Sequence, residues 1–418
     1  MSASNLFRSV EVNVNGYYPG LLPSLKCGLA VFGAMSLAGR TKPLSIIFEG
    51  TSGYGKSAVV EMFFPEPKST LANYAYRSDE FTPRSFVSHI AGTSRAKLSR
   101  TDLLPRLKDK VLVTKELSTI FRGREEELRD NFRKLIPILD GKGFVSDSGS
   151  QGRRGYEESI VFNWIGATTP LPRETYRVMY QLGTRLLFYE VPGKFPSEEE
   201  TWEYAKRDDV SEASVVCQRA VNEFLIAFFD EHPVGTVAPR SIELPDLLLR
   251  ELNRWARLVA EVRSGVKYEK HGSKWAAVAA NHPEGPWKLI TYFKELMRGH
   301  ALIHGRDRAN EEDLTVVAHT ALSSLPGQLR PILRELRVRD YITTTDVRRL
   351  CEVSHPTARD HLEELALGGV ILVEKGKPPK PDTGKLAPAY QWLQQLPLKA
   401  KRGGEVGEEE MACGQAGS

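Results

Sequence analysis

Gly50-Thr51-Ser52-Gly53-Tyr54-Gly55-Lys56-Ser57 decides the fold of this chain, because it matches G-x-x-x-x-G-K-[ST] at every fixed position. The glycines let the backbone turn tightly, so that successive N–H groups point into one anion-sized hollow. Lys56 is placed to reach the β- and γ-phosphates of a nucleotide, and the Ser57 hydroxyl to ligate Mg²⁺. The flanks agree with this assignment. Leu44-Ser45-Ile46-Ile47-Phe48 is a short apolar run that suits a buried parallel strand. Ser57 to Phe63 can continue as a helix whose N-terminus faces the phosphates. Strand, loop and helix in this order imply an α/β core that binds ATP with Mg²⁺.

The chain has 418 residues, room for about two or three domains. It is 41% hydrophobic and 26% charged, an ordinary balance for a soluble globular protein. Its apolar runs fall short of the roughly 20 residues needed to cross a bilayer, so no membrane partner is expected. Met1 to Arg8 lacks the apolar core of a signal peptide. Cys27, Cys217, Cys351 and Cys413 lie far apart without metal-ligand spacing, which argues against a zinc site or a disulfide framework and for the cytoplasm. A net charge of +4 is too mild to identify a partner, so the placement of charge matters more.

Composition shifts divide the chain. Residues 1–40 read as a lead-in, with a turn at Tyr18-Pro19-Gly20 and a helical stretch over Leu25 to Ala38. Residues 41–196 alternate apolar runs with helical patterns, as expected of a parallel-sheet core. Strands are expected at Leu44–Phe48, Val111–Thr114, Ile160–Gly166 and Arg185–Val191. Residues 197–336 read as nearly all helix, 337–396 as short helices followed by two strands, and 397–418 as a disordered Gly- and Glu-rich tail.

A phosphate loop needs a carboxylate at the end of a neighbouring strand, to hold Mg²⁺ through water and polarise the attacking water. Val111 to Glu116 is an apolar run ending in an acid, and Glu116 takes this role; the alternative is a helix-capping glutamate. Lys115 stands where Asp is usual. Val161 to Pro170 reads as another core strand, whose terminal Thr168 and Thr169 can position water beside the γ-phosphate unless they only form a turn. Arg185 precedes a strand and can reach across a subunit interface to a neighbour's γ-phosphate, or else form a surface salt bridge.

Together these residues resemble the AAA+ ATPases: phosphate loop, acid-ended strand, Gly166-Ala167-Thr168-Thr169 as first sensor, and Gly183-Thr184-Arg185 with an arginine finger. The resemblance spans about residues 40–330 and implies a helical lid after 197, and a ring or other homo-oligomer, with six subunits as the expected number. Trp287 to Ala301, followed by Gly305-Arg306-Asp307 and Asn310 to Leu314, is similar to the lid of the minichromosome maintenance helicases. That similarity assigns Lys288, where the family usually has arginine, to the γ-phosphate. Asn310 also has the character of a helix cap followed by acids. The Lys115-Glu116 pair resembles a variant of mobile-element ATPases, as in proteins of viruses and plasmids.

Gly141 to Tyr156 has β-prone flanks around a Gly/Ser/Arg-rich tip and suggests a hairpin. The helicase resemblance points such a hairpin at DNA, with Arg153 and Arg154 offering cations to phosphates and Lys142 behind them. The region Thr343 to Trp392 resembles a winged helix-turn-helix, with paired strands at Val370–Glu374 and Pro388–Trp392. In such folds the second helix enters the major groove and the wing follows the backbone. Ser354, His355, Thr357 and Arg359 are then nearest the bases, with Arg348, Arg349, Lys375 and Lys377 near phosphates. Winged helices also dock proteins. The expected function is an ATP-hydrolysing DNA helicase or translocase. The alternatives are an ATP-controlled DNA-binding switch, such as a replication initiator or transposition regulator, and an assembly ATPase without DNA contact.

Overall fold

The computed structural model describes residues 2–88, 95–148, 152–181, 183, 185–193, 196–206, 210–271, 274–377 and 380–395. Its strands are β1 Ser45–Glu49, β2 Ala75–Arg77, β3 Val111–Thr114, β4 Phe144–Ser148, β5 Gly152–Tyr156, β6 Asn163–Thr168 and β7 Leu187–Glu190 in the first half. Later come β8 Val266–His271, β9 Lys274–Ala280, β10 Ile342–Thr343, β11 Ile371–Glu374 and β12 Thr383–Leu386. Five strands form a parallel sheet in the order β2-β3-β6-β1-β7. β1, β3 and β6 are buried along their full length, which is why each reads as an unbroken apolar run. Alternate residues enter opposite cores: Ile46 and Phe48 join the core shared with helix Leu22–Met35, while Ile47 joins the one shared with helix Glu125–Leu139.

Val111–Thr114 is a strand as expected, and the other strands anticipated within residues 41–196 shift by one to three residues. β2 escaped notice because three residues ending in an exposed Arg77 carry no hydrophobic period.

Residues 1–40 are more than a lead-in. Helix Ala3–Tyr17 packs on helix Val210–Glu231, and helix Leu22–Met35 packs on helix Trp287–Ile303. The second crossing is a backbone contact. A Cβ on Gly299 would lie 2.2 Å from the Ala30 carbonyl oxygen, and one on Gly33 would lie 2.5 Å from that of Gly299. Backbone cannot rotate away as a side chain can, so Gly299→Ala is expected to cost about 3 kcal/mol. Urea denaturation checks this; an unchanged midpoint would mean that the helices separate freely.

Two expectations need correction. The stretch 197–336 is not nearly all helix, since β8 and β9 form an antiparallel hairpin within it. The alanines of β9 favour helix locally, and cross-strand pairing overrides them. In the C-terminal region the strand expected at Pro388–Trp392 is instead β12 at Thr383–Leu386, and Pro388–Tyr390 is a single 3₁₀ turn. Proline lacks the N–H that a central strand must donate, whereas β12 lies between β10 and β11 and pairs with both. Helices Thr344–Cys351 and His355–Leu367 lie between β10 and β11 in the chain. The tail 397–418 lies outside the described residues. Among those residues no helix is long and apolar enough to cross a membrane.

Candidate nucleotide and nucleic-acid sites

β1 delivers the candidate phosphate loop to the carboxyl edge of the sheet, where ligands of open parallel sheets bind. The Gly50 N–H donates to the Thr168 carbonyl at 3.2 Å, so the loop leaves the sheet beside β6. Gly53 and Gly55 have φ of +89° and +83°, a backbone region that strains other residues. Thr51, Ser52 and Gly53 are exposed, and Tyr54 and Ser57 are half-buried. Tyr54 lies against the backbone after β7, where a Cβ on Gly193 would meet its ring at 2.5 Å. Helix Lys56–Glu61 follows the loop. Lys56 is 6% exposed and makes no hydrogen bond or ion pair among the described residues. Burying an ammonium without an anion is costly, so this cation is arranged to meet one.

Strand register brings the other candidates to the same edge. Glu49 pairs with Thr168 and Thr114 with Gly166, while the Leu117 N–H donates to the Ala167 carbonyl at 2.9 Å. Glu116 is therefore held next to the end of β6. Its Oε1 accepts the N–H of Ser118, the first residue of a short helix, at 3.0 Å, and its second oxygen has no protein partner among the described residues. Thr168 is fully buried and its hydroxyl donates to the Thr169 carbonyl at 3.1 Å. The Thr169 hydroxyl accepts from Arg122 at 2.6 Å. Arg122 carried no signal in the sequence; only the turn after β3 places it beside β6. Lys115 is exposed and paired with Glu61, on the helix of the phosphate loop. The unusual cation is thus neutralised by an acid from that helix.

Among the described residues no group of three or more His, Cys, Asp or Glu can hold a metal alone. Mg²⁺ needs no such cage, because it keeps several waters and binds through one or two side chains plus phosphate oxygens. The Ser57 hydroxyl and the free oxygen of Glu116 fit that mode.

Arg185 and Lys288 come together elsewhere. β7 starts at Leu187, so Arg185 stands at the amino edge of the sheet, about 20 Å along the strand from the loop's edge. Arg185 Nε and Nη2 donate to the two oxygens of Asp140 at 3.2 and 2.9 Å, and Lys288 Nζ lies 3.6 Å from Asp140 Oδ1. Burial pushes the Asp140 carboxyl up, but Arg185 and Lys288 hold it below its ordinary range. Arg185 does form a salt bridge, and at that edge it serves no phosphate on its own loop. Thr184 lies outside the described residues.

The hairpin anticipated at Gly141–Tyr156 exists: β4 and β5 pair from Phe144–Tyr156 to Ser148–Gly152, with its tip residues 149–151 outside the described set. Tyr156 anchors it by donating to the buried Asp102 at 2.9 Å. Arg153 is exposed and lies 2.9 Å from Glu157. Arg154 is half-buried with an unpartnered Nε, so it is no simple solvated arginine.

In the C-terminal region Ser354 caps helix His355–Leu367 by accepting the Thr357 N–H at 3.4 Å. His355 and Arg348 are exposed, and Arg349 pairs with Asp346 at 3.2 Å. Arg359 donates at 3.0 Å to the buried Asp382, which also accepts the Gly376 N–H at 3.0 Å. Arg359 therefore braces the helix against the segment joining β11 to β12 rather than projecting freely. Lys375 lies 3.7 Å from Glu363, and Lys377 is exposed. The second half of the helix docks on the body through Glu364, 3.0 Å from Arg173, and along β9. Burial there also lowers the His361 pKa to about 4.

No family model matches this chain, and no curated protein does. Among solved structures it is similar to a full-length MCM homolog from Methanopyrus kandleri, with a TM-score of 0.41 and 11% identity over 77% of this chain. The match covers 61% of that protein's length.

Proposed function

We propose that this protein is an AAA+ ATPase that hydrolyses ATP with Mg²⁺, assembles as a ring or other homo-oligomer, and acts on DNA as a helicase or translocase. The observation that carries this reading is the convergence of the loop 50–57, the buried Lys56 with no partner among the described residues, Thr168 and Glu116 on one edge of the parallel sheet. Lys56 holds the β- and γ-phosphates, and Ser57 and Glu116 hold Mg²⁺, which neutralises their charge. Glu116 orients the attacking water, and Thr169, fixed by Arg122, supplies a polar partner close by. Arg185 and Lys288, both paired with Asp140 on the opposite edge, suit a nucleotide held by a second copy.

The hairpin and the C-terminal helices are the two proposed DNA surfaces, the latter as a winged helix-turn-helix. An ATP-controlled DNA-binding switch is the second reading, favoured by the Lys115–Glu61 pair at the position usually held by an acid. ATP turnover with and without single- and double-stranded DNA, paired with an unwinding assay, separates motor from switch. Arg348→Ala/Lys377→Ala is expected to weaken duplex binding and make its salt slope shallower by about 2, leaving basal turnover intact. Arg153→Ala is expected to spare duplex binding and remove DNA stimulation of turnover. If both variants bind duplex and respond to DNA like the parent, the protein is an assembly ATPase instead.

A further inference from the structure

We infer that Arg330 is a positioning residue that sets the phosphate loop through Glu49; this deepens the nucleotide-binding reading and rests on it. Glu49 is the last residue of β1, and the loop begins at the next position. Its carboxylate is buried, with the whole residue 2% exposed, and three different elements satisfy it. The Leu171 N–H and the Tyr176 hydroxyl donate to Oε1 at 3.0 and 2.5 Å, and the guanidinium of Arg330 pairs with Oε2. Arg330 is itself 4% exposed, and its Nε donates to the Leu325 carbonyl at 2.7 Å. Its other nitrogen donates to the Tyr176 hydroxyl, which closes a ring of three polar side chains under the loop.

The same helix, Arg330–Leu336, also holds the strand on the far side of β1. Arg334 makes two hydrogen bonds of 2.9 Å to Glu190 at the end of β7, and Arg330 lies 3.6 Å from that carboxylate. The carboxyl ends of β1 and its neighbour β7 are thus fixed to one helix face by two arginines. Buried ion pairs contribute little stability compared with apolar packing of the same shape, but they fix direction. A guanidinium with several donors in one plane specifies where Glu49 points, and hence where Gly50 starts. The helix continues into the C-terminal region, whose helix Thr344–Cys351 packs against it.

The test compares Arg330→Lys, which keeps the charge but loses the planar fork, with the apolar replacement Glu49→Leu/Tyr176→Phe/Arg330→Met, which removes the buried charge altogether. Melting curves establish that each is folded, and ATP affinity and turnover are then measured on the folded protein. Expected for whichever variants fold is ATP binding weaker by about tenfold and a lower kcat, with an intact melting transition. A purely structural role would shift melting and leave affinity and kcat of the folded protein at parental values, and that result overturns the inference. If the parent binds ATP and Lys56→Ala does not, while the Arg330 variants bind like the parent, only this inference falls. A parent that binds no ATP would remove the nucleotide reading itself, and this inference with it.

Discussion

Lys56→Ala should lower ATP turnover by about a thousandfold, the order seen when a cation or donor aimed at a transition state is removed. Lys56 is buried and has no partner among the described residues, so no ion pair within them depends on its ammonium. Truncation should therefore leave the fold intact, as checked by the melting temperature, which is expected to stay or rise as a buried charge disappears. Glu116→Gln should separate binding from chemistry. The amide can keep the hydrogen bond from the Ser118 N–H, yet it loses the charge that orients water, so ATP stays bound and is hydrolysed slowly. Parental turnover in Lys56→Ala would place the nucleotide site elsewhere in the chain. Parental turnover in Glu116→Gln would transfer the acid's role to another residue.

Arg185→Ala is the second large effect, a loss of roughly a thousandfold in turnover with ATP binding retained. Its position decides the form of the test. On the amino edge of the sheet, beside Lys288 and Asp140, it has no access to the loop of its own chain. Any effect on turnover must therefore pass through a neighbour. Mixing Arg185→Ala with Lys56→Ala subunits should restore part of the activity, because some interfaces then join an intact loop to an intact arginine. Full activity in a strictly monomeric preparation would remove Arg185 and Lys288 from the reaction and leave them as partners of Asp140 alone.

The sequence by itself determined the glycine-rich turn between β1 and helix Lys56–Glu61 on which the proposed phosphate loop rests, since its spacing is a local property: glycines that take positive φ, a lysine and a hydroxyl within eight positions. It also gave away β1, β3, β6 and β7 within three residues, because strands buried on both faces must be apolar throughout. The hairpin at β4–β5 was legible from its turn chemistry. What escaped was everything set by contacts between distant segments. β9 reads as helix because alanine favours helix locally, and pairing with β8 overrules it. Helices Ala3–Tyr17 and Leu22–Met35 read as a lead-in because their partners lie some two hundred residues or more away in the chain. Lone charged residues carry no pattern at all. Arg122 meets Thr169, Glu61 meets Lys115, and Arg330 meets Glu49 across 281 positions. Arg185 and Lys288 were each legible as cations, but only the tertiary structure placed both on Asp140, at the edge opposite the loop. Local chemistry is written in spacing, whereas a buried charge finds its counter-charge only when the chain has closed around both.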